Sequence, residues 1–297
     1  MFKKSLIFLF SILTLGVINA QANLLSAVKA SDVGVLSEDQ ISVDKDEPLK
    51  YGYVADRDIL WSKIVWEEID LTQKFNFPYY FPKDNKNLSN NRLSLFNTLL
   101  KGIETGEITE VYKSSYFKKT EKVGLEYVQS KLSYIRTKVA EDNKTYSDTL
   151  SIKSEGVTSF KIKGMWFFDK RQGELKYRML GIAPLASDVK KVGTTAYSED
   201  EKLDLFWVFF PDARKTLHNS KVFNPENSAN PISFDHILNS RRFSSFILRE
   251  QNVYADRPIR GGDGLKGYVK NNSLFQLLES ERIKEEIRNK EIDMWNY

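Results

Sequence analysis

The stretch Ser159-Phe160-Lys161-Ile162-Lys163-Gly164-Met165-Trp166-Phe167-Phe168, then Lys170-Arg171-Gln172-Gly173, then Leu175 to Ala183, decides the fold class. Aromatic and aliphatic residues fill both flanks, and the polar link ends in a glycine that supplies a positive φ. This is the pattern of a β-hairpin with a longer loop. Further along, Leu203 to Phe210 places Leu205, Trp207 and Phe209 on one face and Phe206, Val208 and Phe210 on the other. A strand apolar on both faces is covered on both faces, so it belongs centrally, under helices or a second layer, with Pro211 ending it.

Upstream the periodicity is helical. Asp56 to Gln73 reads as a helix, with Leu60, Trp61, Ile64, Val65 and Leu71 on one broad face and Ile59 and Trp66 roughly opposite. Trp66, outside the main stripe, is either covered by another part of the fold or exposed for a partner. Asn76-Phe77-Pro78-Tyr79-Tyr80-Phe81-Pro82 is expected to be extended, because each proline disfavours helix at the residue before it. Its rings suit a strap over the core or an aromatic sugar-binding strip. Asn91 to Glu104 is an amphipathic helix with Ser89 or Asn90 as cap, and Thr120 to Lys138 a second.

Ala255 to Ser273, with Pro258, Gly261, Gly262, Gly264 and Gly267, is loop. Leu274 to Trp295 is a charged helix whose apolar residues divide. Leu274, Leu277 and Leu278 share one face, while Ile283, Ile287 and Met294 lie nearly opposite. Either the helix breaks near Ser280 or its two ends meet different surfaces. Helices and strands are segregated along the chain, which gives an α+β fold. The expected organisation is a single domain over 51–271 with a central antiparallel sheet flanked by helices. An extended arm over 23–50 precedes it, and a C-terminal helix over 272–297 follows.

The first residues have another purpose. Lys3 and Lys4 precede an apolar run from Leu6 to Ile18, and Ala20-Gln21-Ala22 follows, the pattern of a cleaved signal peptide. Removing 22 residues from 297 leaves 275, and losing Lys3 and Lys4 lowers the formal charge from +4 to +2. A mature chain so close to neutral gives no support to nucleic-acid binding. The arm that follows is acidic, with Asp32, Glu38, Asp39, Asp44, Asp46 and Glu47 outnumbering its basic residues. It reads equally as a disordered spacer or as an arm that orders on a neighbour.

The chain has no cysteine, which excludes disulfides, thiolate zinc sites, Fe–S clusters, a Cys nucleophile and lipidation at an N-terminal cysteine. Outer-membrane attachment would therefore need a partner. Gly262-x-Gly264-x-x-Gly267 matches a dinucleotide fingerprint literally, but neither a strand before it nor a helix after it is credible. His218 and His236 have no metal-ligand spacing and read as structural or exposed. Glu67-Glu68 and Glu285-Glu286, adjacent within expected helices, point in different directions and make no ready carboxylate pair. Arg241-Arg242 before Phe243 suits a phosphate, a lipid headgroup or an acidic partner, or simply a salt-bridged surface. No residue is expected to be catalytic, cofactor-binding or metal-ligating. Trp66, Arg241, Arg242, Ile283, Ile287 and Trp295 are the partner-binding candidates.

Three stretches carry a family resemblance. They are Asp56-Arg57-Asp58-Ile59-Leu60-Trp61-Ser62-Lys63 on to Asn76-Phe77-Pro78; Leu205-Phe206-Trp207-Val208-Phe209-Phe210-Pro211-Asp212-Ala213-Arg214 through Arg241-Arg242-Phe243 to Asn252-Val253-Tyr254; and Leu277-Leu278-Glu279-Ser280-Glu281-Arg282-Ile283-Lys284 with Trp295 and Tyr297. Together they resemble the GldN/PorN family of gliding motility and type IX secretion. The resemblance implies a non-enzymatic periplasmic protein that needs no cofactor. It also implies assembly with a GldK/PorK-like lipoprotein into a ring beneath the outer membrane, and contact with a GldM/PorM-like motor component. Two rival readings make different demands. A periplasmic carbohydrate-active hydrolase needs two carboxyl groups about 5–10 Å apart. A glycan-binding module needs exposed, roughly coplanar rings at Tyr79, Tyr80 and Phe81.

Overall fold

The computed structural model describes residues 47–83, 92–139, 145–191, 202–224, 232–253, 255–261, 266–269 and 272–295. The expected signal peptide, almost all of the arm, the caps Ser89 and Asn90, and Gly262 and Gly264 lie outside them.

Among the described residues the first strand is the long β1 (Ile59–Asp70), which follows a 3-10 turn at Asp56–Asp58. This overturns the helix expected over Asp56 to Gln73. Val65, Trp66, Glu67, Glu68 and Ile69 are all buried, so the strand is covered on both faces and shows no apolar–polar alternation. Its apolar residues then happen to satisfy a helical stripe. Glu67 and Glu68 consequently point to opposite faces of a sheet rather than around a helix.

Phe77–Tyr80 forms a helical turn, α1, where an extended strap was expected. Pro78 sits in its first turn, where a missing N–H costs nothing. The rule against helix before proline holds at Phe81, which is extended before Pro82. Helix α2 (Leu95–Glu104) is capped by Ser94, whose Oγ accepts the Asn97 N–H, and buries Leu95, Phe96, Leu99 and Ile103. Strand β2 (Val111–Tyr112) follows.

The helix expected over Thr120 to Lys138 is half helix and half strand. It comprises α3 (Leu125–Leu132) and β3 (Ser133–Val139), and β3 pairs with β4 (Thr145–Ser151) in a separate two-stranded sheet. The expected hairpin is present as β5 (Val157–Asp169) and β6 (Glu174–Ser187), with Gly173 at φ +65 in the link. Leu203 to Phe210 is not one strand. It divides into β7 (Lys202–Asp204) and β8 (Trp207–Phe209), both paired with β6, and between them Leu205 and Phe206 turn into the core. Pro211 then opens helix α4 (Phe210–Asn219). The short pair β9 (Lys221–Val222) and β10 (Ile232–Ser233) leads into α5 (Phe234–Asn239), capped by Ser233. Strand β11 (Phe246–Glu250) and the continuous helix α6 (Ser273–Trp295) are the last described elements.

The main sheet has the order β11-β1-β5-β6-β8-β2, with β7 also on β6, and every pair is antiparallel. The α+β architecture with an antiparallel sheet is thus present. Helices α2, α4 and α5 press Leu99, Leu217 and Phe234 onto one sheet face, against Ile69, Phe160, Ile162 and Ile182. Helix α6 covers the same face near β11, where Ile283 and Ile287 meet Val65 and Ile247. Among the described residues no helix is long and apolar enough to cross a membrane.

Candidate functional site

Antiparallel register aligns residues from different strands into rows across the sheet, and each row lies on one face. On the helix-covered face one row reads Ile247, Glu67, Ile162, Ile182, Val208 and Val111. It is buried throughout, and Glu67 is its single charge. That charge is answered. Arg241 reaches Glu67 through Nη1 to Oε1 at 3.0 Å and Nη2 to Oε2 at 2.8 Å, and the Ser245 hydroxyl donates to Oε2 as well. The guanidinium lies over Tyr177 at 4.2 Å and Trp166 at 5.0 Å. Burial works against the arginine's charge, but Glu67 outweighs it and holds its pKa above the ordinary value. Arg241 takes the left-handed backbone, φ +51, which aims it inward.

The adjacent row on the opposite face reads Arg249, Trp66, Lys163, Gly181 and Phe209. Among the described residues no helix covers it; the loop between β2 and α3 does. Phe117, at φ +54, lays its ring on bare Gly181, where an added Cβ would come within 2.2 Å of the ring tip. Ser115 sits at the centre. Its Oγ accepts from Trp66 Nε1 at 3.0 Å and from Arg249 Nη2 at 3.4 Å, and its carbonyl accepts from Lys163 Nζ at 2.9 Å. Arg249 stacks on Trp66 at 4.0 Å, and Lys163 lies 5.0 Å from the same ring. Burial, and then the neighbouring Arg249, push the Lys163 ammonium below its ordinary pKa.

A third charged cluster holds α6 in place. Lys63 Nζ is 2.8 Å from Glu250 and 2.7 Å from Glu286. Ser280 Oγ accepts the Ile247 N–H at 2.8 Å, and Lys284 donates to the Ser245 carbonyl. Lys63 bridges two carboxylates here, and Arg282 also pairs with Glu286 at 3.2 Å, so two cations balance the two acids.

The partner-binding candidates are placed as follows. Trp66 is buried in the second row, covered by the chain's own loop. Arg241 is committed to Glu67, whereas Arg242 is exposed. Ile283 and Ile287 are buried against β1 and β11, so the helix does not break at Ser280. Trp295 lies in the last turn of α6, and its side chain is outside the described residues. The opposite side of α6 carries exposed Leu274, Leu277 and Leu278, with Phe275 beside them. His236 is exposed at the start of α5, and His218 is half-buried in α4. Among the described residues, no group of three or more His, Asp or Glu is placed to hold a metal ion. The ring platform expected of a glycan-binding module does not form. Tyr79 is buried with its hydroxyl donating to the Arg242 carbonyl, and the Tyr80 and Phe81 rings stand at 61° to each other. Lys163, Arg249 and Ser115 were not singled out by the sequence; the only signal was Lys161 and Lys163 alternating with Phe160 and Ile162.

The family model for the gliding motility associated protein GldN matches residues 54–296. The chain belongs to the GldN family. Its match spans both rows, the α6 clasp and all strands of the main sheet, so the GldN assignment covers the whole arrangement described above. No curated protein matches the chain. As a GldN family member it is a gliding motility-associated protein.

Proposed function

We propose that the chain is a non-enzymatic structural component of the gliding motility and type IX secretion machinery in the periplasm. In this reading it assembles with a GldK/PorK-like lipoprotein into a ring at the inner face of the outer membrane and contacts a GldM/PorM-like motor component. The observation that carries the proposal is the GldN match over residues 54–296. Two features of the fold support it. The buried carboxylates are tied up in ion pairs, Glu67 with Arg241 and Asp235 with Arg214. The outer side of α6 also offers an apolar row to a neighbour.

Co-expression with the lipoprotein, followed by sizing and electron microscopy, tests the reading. A stable, large, symmetric co-complex is expected. A protein that stays strictly monomeric and recovers no partner overturns it. Deleting α6 is a poor probe of assembly, because Ile283 and Ile287 complete the sheet's own core. Replacing Leu277 and Leu278 with glutamine spares that core and should reduce co-purification if the outer side of α6 takes part.

A further inference from the structure

The cations on the loop-covered face of the sheet are treated unequally. Lys161 pairs with Asp204 at 2.7 Å, and Lys202 with Glu68 at 3.4 Å. Lys163 and Arg249, more than nine-tenths buried, have no carboxylate within salt-bridge distance among the described residues. The described acid that acts on Lys163 is Asp256, and its Oδ1 accepts the Asn252 backbone N–H at 3.2 Å. Two like charges are therefore held side by side among Trp66, Tyr116 and Phe117, where water screens them poorly. Few of their donors are used by the fold's own described groups. Lys163 spends one of three donors, on the Ser115 carbonyl, and Arg249 spends one of five, on the Ser115 hydroxyl.

We infer that this cluster is a receiving site for a carboxylate of an acidic polypeptide segment, which completes the ion pairs that the fold leaves open. The loop above it indicates a polypeptide rather than a lone ion. Lys113-Ser114-Ser115-Tyr116-Phe117-Lys118-Lys119 presents three exposed lysines along its length, and Tyr116 stands 47% exposed at the edge of the cluster. A positive surface extended over several residues, with one deep pair of cations, matches several spaced carboxylates. A single small anion would use only the deep pair. The guanidinium is suited to two parallel bonds with the deepest carboxylate, while Lys163 adds a point charge. The site stands apart from the ring reading, since it is defined by chemistry that any acidic segment could satisfy.

Calorimetric titration of the purified full chain at low salt tests it, with capped hexaglutamate, capped hexaglutamine and inorganic phosphate as probes. Saturable binding of hexaglutamate is expected, tighter than phosphate, weakened by added salt, and absent for hexaglutamine. Lys163→Met should weaken hexaglutamate binding by at least about tenfold, with a much smaller change in melting temperature than Arg241→Met produces. Lys118→Gln with Lys119→Gln, both at exposed positions, should weaken it several-fold even if Lys163→Met fails to fold. Absence of binding, or binding that survives both sets of substitutions, overturns the site. Phosphate binding as tightly as hexaglutamate overturns its assignment to a polypeptide. None of the probes belongs to a secretion machine, so the result is independent of whether the ring forms.

Discussion

Trp66 and Glu67 are neighbours in one strand, yet they belong to opposite kinds of environment. On Glu67's side, the row across the sheet is apolar, helix-covered and closed by a two-pronged arginine. On Trp66's side, the row carries Lys163 and Arg249, and a loop with an exposed tyrosine closes it. A buried charge that has its counter-charge inside the fold belongs to stability. A buried charge without one points outward, to something the fold does not contain. The difference shows up in how each side should respond to substitution.

The largest effect is expected on the closed side. Arg241→Met strands Glu67 in the core and should cost about 3–5 kcal/mol, measured by chemical denaturation. A loss below about 1 kcal/mol would mean that Glu67 reaches water, and the contrast between the two faces would fail. Next come the two bare glycines. A Cβ at Gly164 would lie 2.1 Å from the Tyr177 hydroxyl, as one at Gly181 would lie 2.2 Å from Phe117. Alanine at either should cost about 1–3 kcal/mol through overpacking. Only Gly181→Ala should also displace the loop, seen as faster amide exchange across Ser114–Phe117. Ser280→Ala removes the acceptor of a buried edge-strand N–H and should cost about 1–3 kcal/mol, with β11 exchanging faster.

A pH effect on the α6 clasp follows. Lys63's hydrogen bond holds Glu286 below its ordinary pKa of 4.5, so the pair's contribution is present above that value and is lost as pH falls through the depressed one. Burial opposes the charge of Lys63 itself, but the hydrogen bonds it donates to Glu250 and Glu286 raise its pKa. Its contribution is present below 10.5 and is lost as pH rises through the elevated value. Protection factors around Ile283–Ile287, exchange rates corrected for the intrinsic pH dependence of amide exchange, should therefore be highest between these limits and fall on acidification. The smallest effect distinguishes the faces most sharply. Lys163→Met removes one of two like charges from a buried site but also the donor to the Ser115 carbonyl, so the two effects oppose and the net change should stay below about 1 kcal/mol.

The hairpin of β5 and β6 was legible in the sequence because its determinants are local: flanking aromatics and a glycine free to adopt φ +65. The divided faces of α6 were legible too, although which half turns inward was not. That depends on Val65 and Ile247, which the sequence places far away. β1 was misread because burial on both faces erases the alternation by which a strand announces itself. The rows were illegible for a related reason. Arg249, Trp66 and Lys163 become neighbours only through the registers of β1 with β5 and β11, and no local pattern encodes those.

The entry to the main sheet is secured in an unusual manner. Arg214, Arg178 and Arg171 donate to the backbone carbonyls of Leu49, Gly52 and Tyr53 at 2.6, 3.0 and 2.7 Å, while the Leu49 and Tyr53 residues are about four-fifths exposed. Carbonyls are common to all residues, so this grip reads the path of the chain and ignores its spelling. Positions 49 and 53 can therefore drift in evolution, or carry an introduced label, without altering the path of the backbone from Leu49 to Tyr53. Tyr51 is the exception in that span: its ring lies between Arg178 and Arg214, and its hydroxyl donates to Asn239.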